Sequence, residues 1–169
     1  MTALSSRESL AVLAHGMGVE RVAVEIESCE RNVGKARRFA REQLVHWGLL
    51  EDDELTDRVL LVVSELVTNA VLHARTQPQA EPVGLELALK RDFALGVVVT
   101  DNSSGIPLVN IRPSVSSISG RGLVLVDAHS DGWITAPYPG RKGASGKSVW
   151  AFFECPQLAC PPKSMPQSA

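Results

Sequence analysis

A carboxylate, an amide and an imidazole share one face of an apolar helical segment. Glu65, Asn69 and His73 are spaced four residues apart within VVSELVTNAVLHA, so successive turns of a helix would line them up. The rest of the circumference is mostly apolar, which predicts a largely buried helix. Burying a carboxylate and an amide without partners is costly, so these groups either reach water at a rim or meet a ligand. Taken alone, the Glu-x-x-x-Asn pattern favours the first possibility, a rim position where both side chains reach water.

An aspartate lies near the start of the next notable motif, TDNSSGIP. Asp101 follows the continuous apolar run Phe93–Thr100, which predicts a central strand, and small residues and Gly105 follow it. A carboxylate at a strand's end can accept a hydrogen bond from an exocyclic amine such as that of adenine. Asp and Asn also cap ordinary strand-end turns. By itself the motif favours the turn.

A pair of glycines precedes a short predicted helix, Leu123–Ala128. Gly120 and Gly122 flank Arg121 in SGRGL. Glycines let the backbone approach an anion, and the N–H groups at a helix N-terminus bind phosphate. Arg121 either contacts such a phosphate or points to solvent. A lone Gly-x-Gly more often marks a tight loop.

A second glycine-rich segment, GRKGASGKS, is similar to a P-loop but does not match one. Gly140 and Gly146 are separated by five residues, whereas GxxxxGKS requires four. A P-loop must also lead into a helix, and the residues after Ser148 are β-branched and aromatic, which favours a strand. The P-loop interpretation therefore fails.

The elements around these motifs predict an α+β fold. Apolar periodicity predicts helices from Asn32 to Trp47 and from Leu55 to about Ala74. Strands are predicted at 21–28, 83–91, 93–100, 131–136 and 147–154. The order is strand, two helices, two strands, helix, two strands. It predicts a two-layer α/β sandwich with a mixed, largely antiparallel sheet and helices on one face.

The domain organisation is simple. We expect a flexible N-terminal arm over residues 1–19, one domain over 20–154 and a disordered Pro-rich tail over 155–169. The 169 residues are 44% hydrophobic, which suits one globular domain. No segment has the length of a membrane helix or the pattern of a signal peptide. A cytoplasmic protein without membrane association is therefore expected.

The charge and the cysteines exclude other classes of function. Seventeen basic and nineteen acidic residues give a net charge of −2, and no basic stripe indicates direct nucleic-acid binding. Three cysteines without CxxC spacing argue against a disulfide framework or a zinc site. We therefore expect the cysteines to be reduced thiols, which agrees with a cytoplasmic localisation.

The three weak motifs become specific as an ordered set. ELVTNAVLHA, TDNSSGIP and SGRGLVLVDA resemble the N box and the two glycine boxes of the GHKL ATPases, whose fold is the histidine kinase-like or Bergerat fold. GKSVWAFF resembles the closing strand. Within that family the chain resembles the bacterial anti-sigma-factor serine kinases, also called switch-protein kinases. The resemblance covers roughly residues 20–154.

The resemblance implies ATP and Mg²⁺ as cofactors. Glu65 would be the general base, Asn69 the Mg²⁺ ligand and Asp101 the residue that reads the adenine amino group. The other implied nucleotide contacts are Gly105, Gly120, Arg121, Gly122, Leu123 and Ser148, the last matching a Thr or Ser that contacts adenine. Residues 110–119 would be the ATP lid. A hard Mg²⁺ ion prefers oxygen ligands, and a carboxylate one turn away can accept a hydroxyl proton.

The expected function is an ATP-binding anti-sigma-type regulator and serine/threonine protein kinase. It would phosphorylate an anti-sigma-factor antagonist and bind a sigma factor, and the family commonly forms homodimers. The alternative is a nucleotide-dependent protein-binding module with little or no phosphotransfer, because Ser103 replaces the middle glycine of Asp-x-Gly-x-Gly and the lid is short. A sensor histidine kinase fragment fits poorly, since His15 lies in no two-helix context.

Overall fold

The protein forms a five-stranded antiparallel sheet with helices on both faces. The computed structural model describes residues 6–49, 53–74, 81–102, 121–139 and 145–155. The strands are β1 (Glu20–Ile26), β2 (Val83–Lys90), β3 (Ala94–Asp101), β4 (Gly132–Pro139) and β5 (Ser145–Glu154), in the spatial order β1-β2-β3-β5-β4. Each neighbouring pair is antiparallel. The predicted α+β class is confirmed.

The helices agree with the predicted ones apart from their ends and one addition. They are α1 (Ser6–His15), α2 (Val33–Trp47), α3 (Asp53–Ala74) and α4 (Arg121–His129), with a 3-10 turn at Glu30–Asn32. No helix in the described ranges is long and apolar enough to cross a membrane. The predicted tail lies outside these ranges except for Cys155, which is buried and whose N–H bonds the Phe93 carbonyl.

Helix α2 is amphipathic and ends at a glycine. Its buried residues recur at helical spacing, and they are Ala36, Ala40, Leu44 and Trp47. Gly48 has a φ of 73°, a left-handed conformation that a residue with a Cβ adopts at a cost. The N–H groups of Gly48 and Leu49 bond the carbonyls of Val45 and Leu44, both at 2.9 Å, which satisfies the last turn of the helix.

Helix α3 packs across one face of the sheet and contributes many residues to the hydrophobic core. Its buried residues are Leu55, Thr56, Val59, Val62, Val63, Leu66, Val67, Ala70, Val71 and Ala74. On the sheet, alternate residues of the central strands face this helix layer, namely Leu95, Val97 and Val99 of β3 and Val149, Ala151 and Phe153 of β5. Because β3 lies in the middle of the sheet, its C-terminal end is held from both sides.

Helix α1 lies on the opposite face of the sheet, within the segment for which the sequence predicted a flexible N-terminal arm. Leu10 and Leu13 are buried against Ala88, Ala94 and Phe152. The helices are therefore not confined to one face. The missed signal is the apolar patch LAVLA, which is too short to show a helical period but is sufficient to cover part of the sheet.

Candidate functional site

Two polar residues of α3 touch the first turn of α4. A Cβ atom built on Gly122 would lie 2.9 Å from Glu65 Oε2 and 3.0 Å from Asn69 Nδ2. Helix α4 begins at Arg121, so its first N–H groups lie beside the carboxylate and the amide. The N box and the second glycine motif therefore meet in space, and a side chain at position 122 would have to displace the ends of Glu65 and Asn69.

Helix α4 is fastened to α3 at its other end. Arg58 donates from Nε to the His129 carbonyl at 2.9 Å and from Nη2 to Asp131 Oδ1 at 2.8 Å. Its guanidinium carbon also lies 5.5 Å from the centre of the Phe153 ring. Asp131 Oδ2 accepts the Glu154 N–H at 2.7 Å. These contacts hold the C-terminal end of α4, and buried Leu123 and Val126 hold its middle.

A groove lined by arginines leads to Glu65. Arg37, Arg38 and Arg41 on α2 line it together with Ser64 and Glu65 of α3. All three arginines are exposed. None forms an ion pair with another of the described residues. In a chain with a net charge of −2, this is a local positive field beside a half-buried carboxylate.

Glu65, Asn69 and His73 form a polar line along α3. A buried ion pair lies near its His73 end. Asp101 and Lys147 are cross-strand partners on β3 and β5, and Lys147 Nζ lies 3.3 Å from Asp101 Oδ2. Their side chains are only 3% and 8% exposed, respectively. Asp101 continues the alternation of Val97 and Val99, so both charges lie on the face of the sheet that α3 covers.

His73 of α3 interacts electrostatically with both members of this ion pair. Partial burial lowers the pKa of His73, repulsion from the Lys147 ammonium lowers it further, and the Asp101 carboxylate opposes both effects. His73 therefore feels both members of the pair across the gap between helix and sheet. A neutral imidazole at this position costs less than a second cation beside Lys147.

Ser148 does not join this group. It pairs with Thr100 across β3 and β5, so it faces the side of the sheet that carries α1. Its hydroxyl donates to the Ala136 carbonyl at 3.3 Å and accepts from Trp150 Nε1 at 3.2 Å. The residue of the GKS motif that reaches Asp101 is Lys147, which the sequence analysis did not select.

The remaining predicted contacts lie mostly outside the described residues. This holds for Gly105, Gly120, Ser103 and the predicted lid at 110–119. Arg121 is the first residue of α4, and its side chain lies outside the described part of the structure. Leu123 is 4% exposed and belongs to the core, so it supports the position of α4.

The sequence matches the family of histidine kinase-like ATPase domains over residues 26–143. This span contains the whole contact between Gly122, Glu65 and Asn69. The chain belongs to this family. ATP is accordingly the ligand that family membership implies, and the resemblance drawn from the three motifs is confirmed at this level.

Solved structures share the fold of this histidine kinase-like ATPase domain. A chain of the SiaB–SiaC complex from Pseudomonas aeruginosa matches with a TM-score of 0.60 and 14% identity, over 90% of this chain and 99% of that one. The RsbU and RsbW domains of Rv1364c from Mycobacterium tuberculosis match with a TM-score of 0.57 and 17% identity, over 84% of this chain and 35% of that one. No curated protein is significantly similar in sequence.

The donor set of this ATPase domain suits a hard cation that is shared with a nucleotide. In the described part of the chain, no group of three or more His, Cys, Asp or Glu could hold a metal by itself. The Asn69 amide oxygen and the Glu65 carboxylate instead meet beside the N-terminal turn of α4. Mg²⁺ commonly takes one or two protein oxygens and completes its shell with water and phosphate, so these residues fit it.

Proposed function

We propose that this protein is an Mg²⁺- and ATP-dependent serine/threonine protein kinase of the anti-sigma-factor type. The single observation that carries the proposal is the contact of Gly122 with Glu65 and Asn69. It joins a helix N-terminus that suits phosphate, an amide that suits a metal and a carboxylate that suits a proton. The partners would be an anti-sigma-factor antagonist as substrate and a sigma factor as target.

The nucleotide would lie along the polar line of α3. Glu65 and His73 are eight positions apart, which is roughly 12 Å along a helix at 1.5 Å per residue. The phosphates would lie at the Gly122 end, where the first N–H groups of α4 favour an anion. The base would lie at the other end, where Asp101 can accept a hydrogen bond from the adenine amino group.

Each residue of the phosphate end has a distinct task. Asn69 would supply an amide oxygen to Mg²⁺, which neutralises phosphate charge when it is bound. Glu65 would accept the proton of the substrate hydroxyl as the serine oxygen forms a bond to the γ-phosphorus. The bond from that phosphorus to the bridging oxygen of ADP breaks, and ADP leaves with the electron pair. Glu65 later releases its proton to water.

The arginine-lined groove supports a protein as the acceptor. It opens next to Glu65, so a chain that lies in it would bring a hydroxyl to the carboxylate. Three guanidinium groups attract an acidic surface and bind carboxylates in paired geometry. We infer that the substrate protein presents acidic residues near its phosphorylated serine. The fold neighbour from a two-protein complex agrees with a protein partner.

The remaining parts of the proposal rest on the family resemblance. When the antagonist is phosphorylated, the kinase would be free to sequester its sigma factor in the cytoplasm, and it would act as a homodimer. A binding module without phosphotransfer is the second candidate, because Ser103 occupies a position where the family has glycine. In that case ATP would stabilise the partner-binding conformation and Glu65 would be dispensable.

The test separates nucleotide binding from phosphotransfer. Wild type, Glu65→Gln and Glu54→Gln are each titrated with ATP and Mg²⁺ by calorimetry and incubated with labelled ATP and candidate antagonist proteins. Glu54 is an exposed residue in the first turn of the same helix, so it is a matched control. We expect all three proteins to bind ATP, and only Glu65→Gln to lose phosphotransfer.

Two results would count against the proposal. If wild type binds ATP but labels no antagonist, and partner regulation survives in Glu65→Gln, the protein is a binding module. If wild type does not bind ATP at all, the nucleotide site itself is wrong.

A further inference from the structure

The buried pair of Asp101 and Lys147 has a consequence for the purine base. The two groups are 3.3 Å apart and nearly inaccessible, and they occupy the end of the site where the proposed base would lie. The Asp101 carboxylate, which would accept a hydrogen bond from adenine, is thus paired with the Lys147 ammonium, which can only donate hydrogen bonds. This inference rests on the proposed nucleotide site and concerns which purines that site accepts.

A carboxylate alone would discriminate strongly between purines. An ionised Asp only accepts hydrogen bonds. Adenine offers an amino group at position 6, whereas guanine has a carbonyl oxygen there. The amino group of adenine donates to the carboxylate, while the oxygen of guanine would face it acceptor to acceptor. A lone Asp101 would therefore favour adenine.

Lys147 removes that discrimination. An ammonium has three donors and no acceptor, so it can donate to the 6-oxo oxygen of guanine while Asp101 accepts from the neighbouring ring N–H. With adenine, Asp101 accepts a hydrogen bond from the amino group and Lys147 donates one to the adjacent ring nitrogen, so the same pair can bind this base as well. We propose that Lys147 is a specificity-determining residue that allows this site to bind both 6-amino and 6-oxo purine nucleotides.

The ion pair need not separate when a base binds. The carboxylate has about four lone-pair positions and the ammonium has three N–H groups, so each can keep its partner and add one bond to the ligand. This matters because parting a buried pair leaves an uncompensated charge, which is costly. His73, a titratable group that interacts with both members of this pair, has a lowered pKa and so adds little positive charge at neutral pH.

The inference is tested by the ratio of two affinities in each of three proteins. ATP and GTP are titrated with Mg²⁺ into wild type, Lys147→Arg and Lys147→Met under identical buffer conditions. Arg keeps a cationic donor, and Met keeps the length of the side chain without the donor. The ratio cancels any general loss of affinity that a variant suffers, and circular dichroism with thermal unfolding checks the fold of each.

We expect wild type and Lys147→Arg to bind GTP within about tenfold of ATP. In Lys147→Met the ratio should shift towards ATP by about tenfold or more, the value of one hydrogen bond to a charged group. A wild type that prefers ATP by much more than this, or a ratio that Lys147→Met leaves unchanged, would overturn the inference and leave the ATP site intact. Failure of both nucleotides to bind wild type would overturn the nucleotide site as well.

Discussion

Gly122 and Glu65 are so close that a single methyl group on the glycine would lie 2.9 Å from the carboxylate oxygen. The two residues are far apart in sequence and come from different helices. Their contact means that the start of α4 and the polar face of α3 form one surface, and that any side chain at position 122 must push its neighbours away.

Gly122→Ala should impair nucleotide binding more than stability. The methyl group would displace the ends of the Glu65 and Asn69 side chains, which can move at little cost, and alanine is the better helix former by about 1 kcal/mol. We expect the affinity for ATP with Mg²⁺ to fall by about tenfold, and the free energy of unfolding to change by less than about 1 kcal/mol.

Gly34→Ala is the matched control for this variant. A Cβ on Gly34 meets no atom within 4 Å, so the substitution should leave the affinity for ATP unchanged and stabilise α2 slightly. Calorimetric titration and urea unfolding measure the two quantities. Wild-type affinity in Gly122→Ala would show that the first turn of α4 does not contribute to the nucleotide site.

Arg58→Met should destabilise the fold by about 1–3 kcal/mol. The substitution removes the donors to the His129 carbonyl and to Asp131, which leaves the Asp131 carboxylate, whose side chain is 32% exposed, without its cation. The free energy of unfolding from urea titration is the measurement. Because α4 would also lose its anchor, ATP affinity should fall as well.

Arg58→Lys distinguishes charge from geometry in this anchor. A lysine keeps the positive charge but cannot make the two divergent hydrogen bonds of a guanidinium, so we expect a loss of stability between those of wild type and Arg58→Met. Equal stability of all three proteins would mean that the buried apolar residues hold α4 without this anchor.

The lowered pKa of His73 predicts a pH dependence of stability. Its ordinary value is 6.5, and partial burial and Lys147 hold the folded value below that. The unfolded chain therefore binds a proton more readily than the folded one as the pH falls below 6.5. Stability should decrease with falling pH in the window between 6.5 and the folded pKa, and His73→Gln should remove that part of the decrease.

NMR titration of the His73 ring checks the cause of this shift. In wild type the midpoint should lie below 6.5, and it should rise in Lys147→Met because the repelling ammonium is gone. A wild-type midpoint at or above 6.5, or one that Lys147→Met does not move, would contradict the electrostatic contact between helix and sheet.

Arg41→Glu should weaken the interaction with acidic substrates. The probe is a synthetic serine peptide flanked by Asp and Glu, and the readout is its KM in phosphotransfer at low and at high salt. Reversing one charge of the groove should raise KM by about fivefold at low salt, the scale of an exposed charge pair, and by less at high salt because of screening.

Arg7→Glu serves as the control for this charge reversal. It changes the net charge equally, but it lies on α1, on the opposite face of the sheet from the groove. We expect it to leave KM unchanged. Equal effects of Arg7→Glu and Arg41→Glu would mean that overall charge, and not the groove, attracts the peptide.

The sequence by itself determined helices α2, α3 and α4, the five strands and the main motif residues. Apolar residues at helical spacing predicted α2 and α3, because one buried stripe and one polar face repeat with the period of the helix. The ordered motifs predicted that Asn69 and Gly122 would share a site. Alternation also predicted strand β2, where Leu85, Leu87 and Leu89 all face the core.

Only the tertiary structure decided which residues of β5 face the site. The run VWAFF is apolar at every position, because α1 covers part of one face of the strand and the core covers the other. Without alternation in hydropathy, the sequence could not tell Lys147 from Ser148, and Ser148 was selected. The register of β5 against β3 brings Lys147 to Asp101, and such a register depends on contacts between strands that are distant in sequence.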